Sequence, residues 1–232
     1  MIGCALLVLA VAVAVAGYVL TPSVGDAATR VRALARAHGA GYVDAPVPRR
    51  FAEAIVASED SRFYLEPGID PIGVARAGWL ALTSSGTDGG GSTISQQLAK
   101  ALYTDGRSGL RRDLEQVALA VKLNLDYGKA QILRMYAASV YFGHGFYGLH
   151  EAACGYFGVP PAALSLAQAS LLAGLVQAPS AYDPLTHLSL ARARQHYVVH
   201  RLAADGVVSR HRARRTLRAP LGLRPGHPMS GC

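Results

Sequence analysis

The first twenty residues, MIGCALLVLAVAVAVAGYVL, carry no charged side chain. A backbone in lipid must satisfy its own hydrogen bonds, so such a run can only be a helix there. At a rise of about 1.5 Å per residue, roughly 20 residues cross the hydrocarbon core. A cleaved signal peptide is the rival reading. The run is long for one, and no clear small-x-small site precedes the Thr21-Pro22 break. We therefore expect a transmembrane anchor over 1–20. Orientation is contradictory from charge. Arg30, Arg32, Arg36, Arg49 and Arg50 all follow the apolar run, which by the positive-inside rule favours a cytoplasmic body.

Behind the anchor the remaining length suits one domain, with room for a small lobe. The formal net charge is +8, and Lys occurs only at Lys100, Lys122 and Lys129, so Arg supplies most of it. A basic chain calls for an anionic partner: nucleic acid, anionic lipid or a phosphorylated substrate. The C-terminal part is rich in Arg and His (Arg192, Arg194, Arg201, Arg210, Arg212, Arg214, Arg215). It shows no groove-reading motif or zinc spacing, so we expect no nucleic-acid partner there but a solvated or lipid-facing surface. Cys4, Cys154 and Cys232 are far apart and odd in number, and predict no disulfide framework.

Strand-like alternation is scarce, and apolar residues recur with helical spacing, so the fold class is mainly α. A juxtamembrane segment, 21–45, holds a short helix over 27–37 and is closed by Pro46 and Pro48. Further helices are expected over 51–63, 74–82, 94–103, 110–125, 129–142, 149–157 and 165–176. Two basic helices broken at Asp205-Gly206 fill 188–217. Ser92 and Thr93 end a Gly-rich loop and can cap the helix over 94–103.

Three clusters can carry chemistry. Glu59 and Asp60 are adjacent at the end of an apolar helix, a setting that suits a salt-bridge partner, a cap or a general base. Gly89 to Thr93 opens a helix carrying Gln96, Gln97 and Lys100 on shared faces. A free helix N-terminus with a Lys makes an anion site, although the ending of a Walker loop is absent. Finally, Arg107-Ser108-Gly109-Leu110-Arg111-Arg112-Asp113-Leu114-Glu115 sets guanidiniums beside carboxylates. That pattern serves either as exposed ion pairs or as a phosphate clamp. The aromatics Tyr141, Phe142, Phe146, Tyr156 and Phe157 are expected in the core, and His144 and Tyr147 in a structural turn.

In this order the clusters are similar to the family 51 glycosyltransferases, the peptidoglycan glycosyltransferase domain of class A penicillin-binding proteins and its monofunctional relatives. VASEDSRFYLEPGID resembles the first family motif, GGSTISQQLAK the second and RSGLRRDLE the third. ILRMYAASVYFGHGFYGLHEAACGYFG resembles the fourth, and LSLAQASLLAGLVQAPSAYDP the fifth. The resemblance implies a lysozyme-like helical head with a small jaw subdomain over 46–221, followed by a tail, 222–232. It implies a monofunctional enzyme of the bacterial cell membrane, single-pass, with its catalytic domain on the extracytoplasmic side. That enzyme would polymerise lipid II into β-1,4 glycan strands with inversion, releasing undecaprenyl pyrophosphate.

By the same resemblance, Glu59 is the base that takes the proton of the attacking sugar hydroxyl, and Glu115 is the second carboxylate. Asp60, Ser92, Thr93, Gln96, Gln97, Lys100, Arg107 and Arg111 would bind substrate. A divalent cation, Mg or Mn, is allowed for at the pyrophosphate. Inverting hydrolases separate their carboxyls by roughly 6.5–9.5 Å, and a similar or wider gap is expected between Glu59 and Glu115. Partners implied are lipid II, the nascent glycan strand, the membrane and other cell-wall synthesis proteins.

The chain departs from the family pattern at four places. Glu66 stands for a His, Arg112 for a Lys and Ala138 for an Asn. Counting back without a gap from Lys129 puts Gln116, not Glu115, at the second-carboxylate position. The Glu115 register is preferred, because Arg107, Arg111 and Glu115 then all fall into the motif, and the Gln116 register stays open. Two other functions stand beside the transferase: a lysozyme-like glycan hydrolase, and a weak or inactive relative that binds lipid II as a scaffold. None of the three lysines falls in a Ser-x-x-Lys or Lys-Thr-Gly pattern, so no penicillin binding is expected.

Overall fold

The computed structural model of the chain describes residues 17–41, 45–70, 92–107, 109–224 and 232. Within them the order is α1 (Ala27–Ala37), α2 (Arg49–Glu59), α3 (Ile94–Tyr103), α4 (Leu110–Asp126), α5 (Lys129–Ser139), α6 (Leu149–Phe157), a 3-10 turn (Pro161–Ala163), α7 (Leu166–Leu175), α8 (Leu188–Ala204) and α9 (Arg210–Arg218). Among the described residues there is no sheet, only a single antiparallel bridge between Tyr141 and Tyr147. The mainly helical class is as the spacing predicts. The expected helix over 74–82 and the Gly-rich loop up to Gly91 lie outside the described residues. So do residues 1–16 of the expected anchor. Residues 17–20 are helical, and among the described residues no helix is long and apolar enough to cross a membrane.

α7 is the hub. Leu166, Ala167, Ala169, Leu171, Leu172, Ala173 and Leu175 are all buried, as befits a helix that is apolar on every side. Its Ser165 side chain accepts from Gln168 N, and Gln168 answers to the Ser165 backbone, closing a capping box. α2 and α8 both pack on α7, while α3 packs on α4 and α5. Phe51, Ile55, Phe63, Ile94, Leu98, Leu119, Leu123 and Ile132 fill the space between with nothing exposed. The expected helix 51–63 stops at Glu59. Asp60 takes φ −157°, ψ 74°, and its carboxylate leaves the helix to bond elsewhere.

The juxtamembrane segment is fastened to α3 and α4 by polar contacts. Lys122 Nζ donates to Thr21 O at 2.8 Å and Pro22 O at 3.1 Å, meeting carbonyls left over where the helix at 17–20 ends. Tyr127 donates to Val24 O at 3.0 Å, and Tyr103 to Asp26 Oδ1 at 3.0 Å.

One expectation is overturned. Cys154 and Cys232 are joined by a disulfide across a separation of 78 residues. Spacing along the chain carried no hint of it, because pairing depends on where the tail returns. It returns along α6, where Arg224 N donates to Tyr156 O at 2.9 Å.

Candidate active site

α2, α3, α4 and the start of the segment after α7 enclose a cleft of about 870 Å³. Glu59, Ser92, Gln96, Gln97, Lys100, Gln116 and Tyr136 are among the residues lining it. Glu59 projects from the last turn of α2. Its Oε2 accepts from Gln97 Nε2 at 3.0 Å, and Gln97 Oε1 in turn accepts from the Tyr136 hydroxyl at 2.8 Å. The carboxylate therefore fixes which way the Gln97 amide faces. Tyr136 stays a donor, because burial, and then the Glu59 charge, push its pKa well up. Oε1 of Glu59 is buried and has no hydrogen bond among the described residues. Arg194 Nη2 stands 3.6 Å from it.

Glu59 is thus a carboxylate removed from water with incomplete compensation. Burial raises its pKa above the ordinary carboxylate value; the Gln97 hydrogen bond and the Arg194 charge pull the other way. Such a group is a stronger base when ionised than an exposed glutamate.

Asp60 plays a different part. Its Oδ2 accepts from Ile94 N at 3.0 Å, one of the amides that the first turn of α3 leaves unpaired. Thr93 accepts from Gln96 N at 3.1 Å, and Gln96 Oε1 accepts from Thr93 N at 2.8 Å. This closes a capping box, while the Thr93 hydroxyl donates to Gly68 O at 2.8 Å. Asp60 and Thr93 therefore hold α3 in place beside Glu59 and do not line the cleft. Ser92, Gln96, Gln97 and Lys100 do.

The third cluster divides. Arg107 is 66 % exposed and lies 3.7 Å from Asp105; Arg111 is exposed too. Neither lines the cleft. Glu115 pairs with Arg112 Nη1 at 2.7 Å and is likewise not a lining residue, so the expected Glu59–Glu115 pair is not brought together across it. Of the two registers left open by the sequence, Gln116 is the residue at the cleft, joined by Asp113. The reason is angular. At about 100° per residue, neighbours on a helix face different ways, and α4 turns the face with the buried Gln116 and the exposed Asp113 toward the cleft.

Glu66, at the position where the family pattern has a His, is buried and meets Lys129 Nζ at 3.2 Å. His144 Nδ1 lies 3.0 Å from Asp183 Oδ2, a contact that ties two loops together. Gly143 has φ +87°, and a Cβ there would stand 2.6 Å from Pro179 O. Only glycine lets the turn sit that close to Pro179, a lining residue. Tyr141, expected in the core, lines the cleft as well.

Arg194 and Tyr136 were not singled out in the sequence. Arg194 stood among basic residues read as a solvated surface, yet its side chain is 14 % exposed and stacks 4.3 Å over the Tyr197 ring. A signal existed. Arg194 and Arg201 are seven apart, beside the buried stripe Ala191, Gln195, Val198 and Leu202, so both face α2. Arg201 Nε donates to Ala57 O at 3.3 Å.

Comparison with known proteins identifies the family of the chain. The family model described as Transglycosylase matches residues 30–203, and the chain belongs to that family: it carries a transglycosylase domain. A protein of Cupriavidus necator named as a transglycosylase is 40 % identical over 178 residues, 77 % of this chain and 77 % of that protein. Penicillin-binding protein 1A of Haemophilus influenzae is 36 % identical over 177 residues, 76 % of this chain but 21 % of that protein. The chain thus spans about a fifth of the length of that larger relative. The crystal structure of penicillin-binding protein 1A from H. influenzae covers 77 % of this chain at 20 % identity, with a TM-score of 0.45.

Proposed function

We propose that the chain is a peptidoglycan glycosyltransferase that polymerises lipid II into β-1,4 glycan strands and releases undecaprenyl pyrophosphate. The observation that carries this reading is Glu59: a buried carboxylate of raised pKa in a cleft shared with Lys100, one oxygen held by Gln97 and the other without a hydrogen-bond donor among the described residues. In the proposed step the acceptor's 4-hydroxyl gives its proton to Glu59 while its oxygen bonds to the donor's anomeric carbon. The bond from that carbon to the diphosphate oxygen breaks, and one displacement inverts the centre. Lys100 stabilises the negative charge gathering on the leaving diphosphate. Arg107 and Arg111 sit outside the cleft and serve at most the approach of an anionic substrate.

A lipid-linked substrate requires the enzyme at a membrane, and the uncharged run at 1–20 supplies the anchor in this reading. The disulfide between Cys154 and Cys232 supports an extracytoplasmic body, since disulfides persist in oxidising compartments. Gln116 in place of a second glutamate supports the rival reading of a lipid II-binding scaffold without turnover.

One assay separates them. The detergent-solubilised full chain is incubated with labelled lipid II, and the products are resolved on a gel. We expect glycan strands from the wild type. Glu59→Gln should be slower by about 10²–10⁴-fold and should unfold no earlier at neutral pH. Near-normal polymerisation by Glu59→Gln would remove Glu59 from the base role, and bound but unconsumed lipid II in the wild type would favour the scaffold.

A further inference from the structure

Arg194 reaches the side of Glu59 with no hydrogen bond between them. Its Nη2 stands 3.6 Å from Glu59 Oε1, beyond the roughly 2.7–3.2 Å of an N–H···O bond. Its Nε is buried and has no hydrogen-bond partner among the described residues. A guanidinium taken from water needs other compensation. Tyr197, three residues on along α8 and so on the same face, sets its ring 4.3 Å from the guanidinium carbon. At that range the negative face of the ring attracts the cation. The Arg194 stem lies against α7 at Gly174, where an added Cβ would stand 3.0 Å from Arg194 Cγ; the glycine leaves the room that the stem occupies. The Arg194 side chain is 14 % exposed and Tyr197 44 %, so the ring borders solvent and the guanidinium sits within it.

That distance matters to the chemistry of Glu59. A guanidinium hydrogen-bonded to Oε1 would occupy the oxygen and lower its basicity. A guanidinium released to water would leave the carboxylate buried and uncompensated. At 3.6 Å the charge acts through space, and Oε1 accepts no hydrogen bond among the described residues. The other groups facing Glu59 play different parts. From α3, Gln97 holds Oε2 and Lys100 shares the cleft. From α5, the Tyr136 hydroxyl bonds to Gln97. Asp60, next in the chain, pushes the Glu59 pKa up where Arg194 pulls it down. α7, packed on α2, carries no titratable side chain.

We propose that Tyr197 is a positioning residue for the base: its ring keeps Arg194 at ion-pair but not hydrogen-bond distance from Glu59, so that Oε1 stays free to take the acceptor's proton. The proposal rests on the glycosyltransferase reading for that proton. Tyr197 does not line the cleft and acts through Arg194.

The test reads the titration of Glu59 itself as well as turnover. The full chain in detergent is labelled with carbon-13 at its glutamate carboxyls and titrated by nuclear magnetic resonance, the Glu59 signal being identified by its loss in Glu59→Gln. We expect Arg194→Met and Tyr197→Leu both to move the Glu59 midpoint upward, Tyr197→Leu by the smaller amount. Tyr197→Phe keeps the ring and should restore the wild-type midpoint. In the Arg194→Met background Tyr197→Leu should add no further shift, because the two residues act as one unit. With lipid II, kcat/KM of Tyr197→Leu should fall roughly twofold to fivefold on the acid limb, the range of an exposed cation–π contact, and recover in alkaline buffer with KM little changed. Urea titration checks that each variant is folded, and Tyr197→Gln, also without a ring, replaces Tyr197→Leu should that variant fail. An unmoved midpoint in the ringless variant, an equal shift in Tyr197→Phe, or a full additional shift in the double variant would each overturn the proposal. These shifts in a chain that does not polymerise lipid II would sink the glycosyltransferase reading and leave the placement of Arg194 by Tyr197 standing.

Discussion

The charge on Glu59 is set by burial and by three neighbours, Gln97, Arg194 and Asp60. Burial raises its pKa, while the Gln97 hydrogen bond and Arg194 lower it. Arg194→Met takes away the lowering charge, so the pKa rises further. The proposed reaction needs Glu59 ionised, and its rate falls as pH drops through that pKa. The acid limb of the kcat/KM profile should therefore move to higher pH in Arg194→Met, with activity largely recovered in alkaline buffer; an unmoved limb would separate Arg194 from Glu59. The same sign governs stability. A carboxyl whose folded pKa is raised contributes stability that is complete below the unfolded value and lost as pH climbs through the folded one. Glu59, Asp60 and Glu66 all have pKa values raised chiefly by burial. The wild type should gain stability as pH falls toward the ordinary carboxylate range. Glu59→Gln should show a smaller gain, which urea titration at two pH values would measure.

At the scale of the element, α3 depends on its first turn. Thr93 closes the capping box and also satisfies Gly68 O, at 2 % exposure. Thr93→Ala removes the cap, worth about 1 kcal/mol, and leaves a buried carbonyl without its donor, worth about another 1 kcal/mol. We expect the unfolding free energy from urea titration to fall by about 2 kcal/mol and substrate binding to weaken, because Gln96, Gln97 and Lys100 all ride on this helix. The bounds of α1, α3 and α6 were legible in the sequence because caps and helical spacing are local signals. The end of α2 was not. Asp60 leaves the helix to reach Ile94 N, which is far along the chain.

Across the whole molecule, the disulfide binds the C-terminal residue to α6. Closing a loop of this size restricts the unfolded chain, and its loss typically costs about 2–4 kcal/mol. Cys232→Ser should lower the unfolding free energy by that order, with lipid II polymerisation at low temperature little changed, since α6 does not line the cleft. A large loss of activity at unchanged stability would mean that the tail acts on the site directly.

The sequence by itself determined the helical class, most helix bounds, the family and the base candidate, because spacing, caps and contiguous motifs are properties of neighbouring residues. Tertiary structure decided which face of α4 turns inward, and so put Gln116 and Asp113 at the cleft where a linear motif offered Glu115. It also drew Arg194 from a basic run to the side of Glu59 and joined Cys154 to Cys232. Each of these depends on the packing angle between segments distant in the chain, and a one-dimensional pattern does not contain that angle.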